Sequence, residues 1–275
     1  MKDKICLITG GTSGIGKETA LALAKKGATL VLPSRNVEKG EAVKAEIIRE
    51  SGNQQVEVME CDLASLASVR SFAENFKQKY QHLHVLLNNA GVWETQRKES
   101  KDGIEVTFAT NHLAHFLLTH LLLDLLMQSA PARIINVSSG AHFHGKMDFA
   151  DLEGKQTYKH LKAYSQSKLA NLLFTRELAS RLAGTGVTAN SLEPGFVGTN
   201  LFTNMGKIAN GLVNLFSKSA AKGAETSIYL ASSPEVTAVT GLYFKNKKKR
   251  SPSPRALDDQ AASQLWRLSE QYVGV

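Results

Sequence analysis

The sequence predicts a single-domain α/β fold in which helices cover both faces of a doubly wound parallel sheet. Three observations support this prediction. Short apolar runs alternate with longer segments of helical periodicity along the chain. Polar clusters directly follow several of these runs, as expected for a site beyond the carboxyl ends of parallel strands. No Pro-, Gly- or Ser-rich linker divides the alternation, so we expect residues 1–275 to form one domain.

The N-terminal half begins with a strand, a glycine-rich turn and a helix. Ile5–Ile8 is an apolar run that ends at the glycines, and the helical periodicity of residues 17–26 stops at Gly27, which suits a C-terminal cap. The other strands of this half end at proline or polar residues: Thr29–Leu32 before Pro33, Val56–Met59 before Cys61 and Asp62, and His84–Leu87 before Asn88. The intervals predict helices at residues 38–51 and 65–80.

The C-terminal half continues the alternation. Arg133–Val137, which ends at a pair of serines, Val187–Leu192 and Gly241–Phe244 are further apolar runs that predict strands. Helical periodicity predicts helices at residues 102–128, 158–183 and 219–232. We expect residues 245–275 to form a C-terminal tail.

The composition, with 43% hydrophobic and 21% charged residues, is typical of a globular protein and argues against disorder. A net charge of +8 and a sequence pI near 9.4 favour anionic partners such as nucleotides. Part of the excess lies in a basic run that we interpret as a solvated loop: Lys245, Lys247, Lys248, Lys249 and Arg250. Nucleic-acid binding is the weaker interpretation, because no helix-turn-helix, zinc-finger or RNA-binding motif accompanies the run.

Cysteine usage and hydropathy predict the cellular compartment. Cys6 and Cys61 belong to apolar segments without CxxC spacing, so we expect buried thiols. In the usual doubly wound order one strand separates them, which puts their backbones about 9–10 Å apart, too far for a disulfide. The chain enters a strand directly after Met-Lys-Asp-Lys, and its longest apolar stretch, Phe116–Met127, is interrupted by polar residues. We therefore expect a cytoplasmic protein without a signal peptide or a membrane span.

The first glycine turn has the spacing G-x3-G-x-G at Gly10, Gly14 and Gly16. Glycines at a strand-to-helix turn let the backbone approach a pyrophosphate, whose charge the helix N-terminus stabilises. A turn required only for packing is the alternative, but the position between the first strand and the first helix favours a dinucleotide site.

Tyr164 and Lys168 lie four residues apart and share one face of a predicted helix. An ammonium beside a phenol favours the phenolate, so we expect a lowered pKa for Tyr164 and a role in acid–base catalysis. A solvated pair on a helix surface is the alternative interpretation.

Five motifs occur in an order that resembles the short-chain dehydrogenase/reductase family. They are Thr9-Gly10-x3-Gly14-Ile15-Gly16, Asn88-Asn89-Ala90-Gly91, Ser139, Tyr164-x3-Lys168 and Pro194-Gly195. The segments Ser13–Ala20 and Asn111–Thr119, with the Ser-Pro-Arg…Leu-Trp stretch of residues 253–266, look like the retinol dehydrogenase-like branch. The resemblance implies a Rossmann-type fold, a nicotinamide cofactor and a homodimer or homotetramer.

The resemblance also implies roles for individual residues. Tyr164 would be the general acid in reduction, Lys168 would assist it and hold the nicotinamide ribose, and Ser139 would bind the substrate oxygen, with Ser138 as the less favoured alternative. Asn111 would position a water in a proton relay. Asp62 would contact adenine, Asn89 would bind cofactor and stabilise the sheet, and Val197 and Thr199 would hold the carboxamide. The further implied cofactor residues are Gly10, Thr12, Ser13, Gly14, Ile15, Gly16, Leu63, Ala90, Gly91, Pro194 and Gly195.

The end of the second strand predicts a preference for NADP(H). An NAD site usually has Asp or Glu there for the ribose 2′-hydroxyl. This sequence instead has Ser34 and Arg35, and a guanidinium can bind a 2′-phosphate through charge-assisted hydrogen bonds. Lys17 is a possible helper. A solvated Arg35 without a ligand is the alternative.

The substrate is the least constrained part of the function. An apolar stretch at 201–216, within an expected substrate loop at 196–218, predicts a lipophilic carbonyl or alcohol: a retinal-like compound, a long-chain aldehyde or a polycyclic ketone. The stretch can equally be a lid, a membrane-surface helix or ordinary packing. His142 and His144 lack a third ligand in metal spacing, so we expect a polar loop and no metal site. A non-catalytic NADP(H)-binding scaffold is the competing function, although a scaffold needs no Asn–Ser–Tyr–Lys set.

Overall fold

A computed structural model describes residues 1–195 and 220–275 of the chain. In these residues eight strands form one sheet in the order β3-β2-β1-β4-β5-β6-β7-β8. The strands are β1 (Ile5–Ile8), β2 (Thr29–Ser34), β3 (Val56–Glu60), β4 (Val85–Asn88), β5 (Ala132–Val137), β6 (Val187–Glu193), β7 (Tyr243–Lys245) and β8 (Lys248–Arg250). Neighbouring strands are parallel, except that β8 is antiparallel to β7.

Helices cover both faces of this sheet, which confirms the predicted doubly wound α/β class. They are α1 (Gly14–Lys25), α2 (Val37–Ser51), α3 (Leu66–Lys79), α4 (Val106–Phe108), α5 (Ala114–Leu121), α6 (Leu123–Gln128), α7 (His160–Arg181), α8 (Ala220–Ser232) and α9 (Asp259–Val273). A π-helical turn, Ala109–Leu113, joins α4 to α5.

Alternation along the strands divides the core into two layers. On β1, Leu7 packs in the layer beneath α3, α5, α7 and α9, whereas Cys6 and Ile8 pack in the layer beneath α1, α2 and α8. Cys61 follows β3, and β2 separates that strand from β1 as predicted; both thiols are free and buried. Burial raises the pKa of each thiol to about 12, so neither is a ready nucleophile.

The basic run was wrongly predicted to be a loop. Lys245 ends β7, Lys248–Arg250 forms β8, and Asn246 and Lys247 make the two-residue turn with φ of 51° and 61°. Positive φ at both central residues matches the twist of a hairpin. The side chains of β8 are nonetheless exposed, as expected for a charged edge strand.

The C-terminal residues end in a helix that the sequence analysis did not predict. Helix α9 buries Ala262, Leu265, Trp266, Ser269 and Val273, a spacing that places them on one face. The Trp266 ring lies edge-on to Phe116 with centroids 4.9 Å apart, and the Arg181 guanidinium of α7 lies 4.2 Å from the Trp266 ring centroid. Helix α9 is therefore packed into the core layer beside α7.

Within residues 1–195 and 220–275, no helix has both the length and the apolar character needed to cross a bilayer.

Candidate active site

The turn between β1 and α1 has a backbone that only glycine accommodates. Gly10 and Gly14 have φ of +65° and +50°. A Cβ at Gly16 would lie 2.2 Å from the carbonyl oxygen of Gly10 and 2.7 Å from Asn89 Nδ2, so helix and turn touch at this point. Ser13, the N-cap of α1, makes no capping hydrogen bond, which leaves the first backbone N–H groups of the helix available to an anion. The turn can hold a pyrophosphate.

Thr9 connects this turn to β4. Its hydroxyl accepts hydrogen bonds from the backbone N–H groups of Asn89 (2.8 Å) and Ala90 (3.0 Å), and Asn89 Nδ2 donates to the Thr9 carbonyl (2.8 Å). His115 Nε2 lies 2.9 Å from the same hydroxyl, and burial lowers the pKa of His115 to about 4. The ring is therefore neutral at pH 7. Thr9 was predicted only as part of the glycine motif, and His115 was not predicted to be a site residue.

Helix α7 brings Tyr164 and Lys168 to the carboxyl end of β5. Both side chains are buried, and Lys168 Nζ lies 5.6 Å from the Tyr164 ring centroid. The ammonium donates a hydrogen bond to the Val137 carbonyl (3.3 Å). Tyr164 and Lys168 thus face the serines that follow β5, rather than solvent.

The pKa of Tyr164 differs from the sequence-based expectation. Burial raises the pKa of the phenol to about 12, and a hydrogen bond with Ser139 opposes part of this increase. Burial also lowers the pKa of Lys168 to about 8. The expected lowering of the Tyr164 pKa by Lys168 is not found, because the loss of solvation disfavours the charged form of both groups.

The two serines after β5 have different surroundings. The Ser138 hydroxyl donates to the Lys168 carbonyl (2.7 Å) and is held by α7. The Ser139 hydroxyl contacts Tyr164 and accepts a hydrogen bond from the Ala141 N–H (3.2 Å). Of the two serines, Ser139 contacts the phenol and donates no hydrogen bond to the described residues. This favours Ser139 for binding a substrate oxygen.

Asn111 lies in the π-helical turn, a feature common at functional sites. Its Oδ1 accepts from the Val92 N–H (2.8 Å), and its Nδ2 donates to the Val92 carbonyl and the Ser167 hydroxyl (both 3.0 Å). A Cβ at Gly91 would lie 3.3 Å from Lys168 Nζ and 3.4 Å from Asn111 Oδ1. The Asn111 amide and the Lys168 ammonium therefore both lie beside Gly91. The π turn interrupts the continuous helix that was predicted at 102–128.

The residues assigned to the adenosine part of the cofactor lie at the ends of β2 and β3. The Ser34 hydroxyl is buried and donates to the Asn36 carbonyl (2.7 Å), whereas Arg35 is exposed and forms no ion pair with the described residues. Asp62 accepts from the Ala64 N–H (3.0 Å) and pairs with Lys101 (3.0 Å). Leu63 packs against the core.

Lys17, the suggested helper, instead pairs with Glu46 of α2 at 2.5 Å. It is therefore engaged within the fold.

A cleft of about 830 Å³ connects the glycine turn to Tyr164. The predicted residues that line it are Gly10, Ser13, Gly14, Ile15, Gly16, Asn89, Ala90, Gly91, Ser139, Tyr164, Lys168, Pro194 and Gly195. The predicted residues outside its lining are Thr12, Ser34, Arg35, Asp62, Leu63 and Asn111. Val197, Thr199 and the apolar stretch 201–216 lie outside the described residues, and the functional roles stay predictions.

Trp93 and Glu193 also line the cleft, and neither was predicted to be a site residue. The Trp93 ring stacks on Tyr164 with centroids 5.3 Å apart and planes at 22°, and its indole N–H donates to His160 Nδ1 (3.2 Å). Glu193 is buried where β6 ends, directly before Pro194. The sequence signals available for them were position after the Asn-Asn-Ala-Gly motif for Trp93, and position between a predicted strand and Pro194 for Glu193.

His142 was wrongly predicted to belong to a polar loop. Residues Gly140–His144 form a 3-10 helix in which His142 is buried. Its Nε2 accepts from the Ser253 N–H (3.2 Å), so Nδ1 carries the proton and donates to the Ser139 carbonyl (2.7 Å). His142 therefore holds the backbone of the candidate catalytic serine.

His144 lines the cleft, and the described part of the chain contains no group of three metal-ligating side chains.

Comparisons with known proteins agree with this geometry. The family model for short chain dehydrogenases matches residues 4–209. Mouse retinol dehydrogenase 12 is 45% identical over 274 residues, covering 99% of this chain and 87% of the relative. Human retinol dehydrogenase 14 is 45% identical over 294 residues, covering 100% and 88%.

Solved structures show the same fold. A crystal structure of a Mycobacterium paratuberculosis protein has a TM-score of 0.83 and 37% identity, covering 100% of this chain and 94% of that one. A short chain dehydrogenase from Shigella flexneri in complex with NADP has a TM-score of 0.72 and 25% identity, covering 90% and 98%.

Proposed function

The chain belongs to the short-chain dehydrogenase family, on its retinol dehydrogenase-like branch, and is a hydride-transfer oxidoreductase; from this premise we propose that it uses NADP(H) to interconvert a lipophilic carbonyl compound and its alcohol. One observation carries the proposal: a single cleft joins an uncapped helix N-terminus behind a glycine turn to Ser139 and the buried side chains of Tyr164 and Lys168. The glycine turn fits a dinucleotide because Gly10 has no side chain. A Cβ at this position would lie 3.0 Å from Ala90 Cα and would narrow the space between the turn and Ala90.

The bound nicotinamide supplies or accepts the hydride, and the protein handles the proton and the substrate oxygen. In reduction, Tyr164 donates its phenolic proton to the carbonyl oxygen, which Ser139 holds by a hydrogen bond. Lys168, 5.6 Å from the phenol ring centroid, stabilises the negative charge that develops on Tyr164. Asn111 keeps the Val92 backbone and Ser167 in place next to Lys168. In oxidation Tyr164 accepts the proton instead.

The preference for NADP(H) is argued from charge at the end of β2. Ser34 and Arg35 occupy the positions where a carboxylate would accept hydrogen bonds from a ribose 2′-hydroxyl. Arg35 is exposed and forms no ion pair with the described residues, so its guanidinium is available to a 2′-phosphate.

A lipophilic substrate is favoured by the apolar side chains at the mouth of the cleft. Phe143 and Leu161 line it and are 49% and 59% exposed, and Trp93 forms part of its wall. Retinal-like compounds, long-chain aldehydes and polycyclic ketones are therefore the candidates, and the relatives named retinol dehydrogenases support the first.

The test is turnover by the Tyr164→Phe variant. Phenylalanine keeps the ring against Trp93 and removes the proton donor, so we expect kcat to fall by roughly 10²–10⁴-fold while NADPH affinity stays nearly unchanged. Steady-state NADPH oxidation across aldehydes, ketones and quinones measures the first, and fluorescence titration measures the second. Unchanged turnover in the variant would remove Tyr164 from the mechanism. A wild-type protein that binds NADPH tightly but reduces nothing would favour the scaffold.

We also infer a single cytoplasmic domain that assembles as a homodimer or homotetramer. The free, buried thiols are compatible with a reducing compartment. Cell fractionation, size-exclusion chromatography with light scattering, and calorimetry for one cooperative transition test the three parts of this proposal.

A further inference from the structure

A buried carboxylate at the end of β6 lines the cleft and has one oxygen without a partner. Glu193 is 2% exposed. Its Oε1 pairs with Lys245 Nζ at 2.5 Å, across the parallel pairing of β6 and β7. Its Oε2 is buried and has no hydrogen-bond partner of acceptable geometry among the described residues. Residues 1–195 and 220–275 therefore leave half of this carboxylate unsatisfied inside the candidate active site.

The unsatisfied oxygen lies beside the candidate catalytic serine. A Cβ at Gly140 would be 2.8 Å from Glu193 Oε2, so the carboxylate rests against the backbone of the residue that follows Ser139. The absence of a side chain at Gly140 permits this approach. A group bound to Oε2 is therefore close to the site where Ser139 would hold the substrate oxygen.

Tyr243 is the nearby group that could compete for this oxygen. It lies two residues from Lys245, on the same face of β7. Burial, and then the Glu193 charge, raise the pKa of its phenol, but its hydroxyl makes no hydrogen bond of acceptable geometry. Because each carboxylate oxygen can accept two hydrogen bonds, a turn of the Tyr243 hydroxyl towards Glu193 would still leave one acceptor position free.

A buried acceptor without a donor is costly, and a ligand that supplies the donor removes that cost. The Lys245 ammonium already balances the Glu193 charge, so a second cation would be repelled by it. A neutral O–H donor satisfies Oε2 without this repulsion. Sites of this kind discriminate strongly against the analogue that lacks the hydroxyl, because the protein group is then left unpaired.

We propose that Glu193 is a substrate-specificity residue that accepts a hydrogen bond from a hydroxyl group of the substrate, near the reacting carbonyl. The inference rests on the proposed function and narrows it. The substrate is a hydroxylated lipophilic carbonyl compound. The apolar side chains of the cleft bind its hydrocarbon part, and Glu193 orients it through one hydrogen bond.

The test compares matched ketones that differ by one hydroxyl group. The probes are 2-decanone, 1-hydroxy-2-decanone and 4-hydroxy-2-decanone, measured as kcat/KM with NADPH for the wild type, Glu193→Leu and Glu193→Gln. We expect the wild type to prefer one hydroxyketone over 2-decanone by at least about tenfold, Glu193→Leu to lose that preference, and Glu193→Gln to keep part of it because the amide oxygen still accepts.

Glu153→Gln is the matched control. Glu153 is also buried and ion-paired, with Lys155 at 3.0 Å, but does not line the cleft, so the preference should survive its replacement. Tyr243→Phe should also retain the preference. NADPH titration and thermal unfolding of each variant separate substrate effects from cofactor binding and misfolding.

Turnover of 2-decanone with no preference for either hydroxyketone would overturn the inference and leave the proposed function intact. A preference that persists in Glu193→Leu, or a loss of NADPH affinity in place of a loss of preference, would overturn it as well. Failure of the wild type to reduce any carbonyl compound would instead remove the proposed function.

Discussion

At the scale of single residues, Arg35 offers the most direct test of cofactor choice. Its exposed side chain forms no ion pair with the described residues, so its removal should disturb little of the fold. Arg35→Ala should weaken NADPH binding by about 1.5–3 kcal/mol, the range for a hydrogen bond to a charged group, and leave NADH binding nearly unchanged. Fluorescence titration of both cofactors measures the difference. Arg49→Ala, which removes an exposed arginine of α2, is the control, and equal losses for the two cofactors would remove Arg35 from the phosphate site.

Side chains that follow strands could be predicted because sequence and topology suffice to locate them. Gly10, Asn89 and Ser139 each follow a strand, and the carboxyl ends of parallel strands meet at one edge. The contacts of Glu193 and His142 could not be predicted in this way, although Glu193 directly follows the predicted strand Val187–Leu192. The partner of His142, Ser253, is 111 residues away along the chain. The partner of Glu193 is Lys245, which lies in the β7–β8 hairpin, where the basic sequence predicts a loop.

At the scale of elements, hydrogen bonds hold the backbone at both ends of the 3-10 helix that follows Ser139. His142 bonds the Ser139 carbonyl and the Ser253 N–H, and Arg255 donates to the Gly145 carbonyl (3.0 Å). The C-terminal segment therefore supports the backbone on which the candidate catalytic serine lies.

His142→Leu should lower kcat by roughly tenfold to 100-fold, because small displacements of a catalytic group are costly. KM and NADPH affinity should change little. His142→Asn retains a donor close to the position of Nδ1 and should restore part of kcat at a similar thermal stability. If both variants lose stability and activity in parallel, His142 has a structural role only.

The elements that the sequence did not predict have physical reasons in common. The pattern of apolar residues continues with helical periodicity through Ala109–Leu113. Because a π turn differs from an α turn by only one added residue, the sequence carries no local signal for it. Charged residues on both sides of Asn246 concealed the β7–β8 hairpin, and its turn adopts positive φ without glycine. The prolines at 252 and 254 suggested a tail, although the spacing of Leu265, Trp266 and Ser269 was available as a sign of α9.

At the scale of the whole molecule, two buried histidines make stability depend on pH. Burial lowers the pKa of His112 to about 3 and that of His115 to about 4. Below pH 6.5 the unfolded chain binds protons at these sites and the folded chain does not, so stability decreases as the pH falls.

Between pH 7 and 5.5 these two histidines should lower the free energy of unfolding by about 2–3 kcal/mol if each has an ordinary pKa in the unfolded chain. Burial also lowers the pKa of His84 and of His142, and both add to the decrease. Carboxyl groups contribute little in this interval, because their ordinary pKa values lie lower. Urea unfolding at several pH values measures the change. A stability that is constant over this range would show that the two rings are not buried and neutral in the folded protein.

The docking of α9 against α7 has a consequence for how the protein is made. The helix that carries Tyr164 and Lys168 packs its far side against Trp266, which is synthesised after that helix. While the ribosome adds about 5–20 residues per second, that apolar surface stays exposed until α9 has emerged. A transcript with a stop codon just before Asp259 would thus encode both reactive side chains, yet its product should be recognised by proteases as incompletely folded.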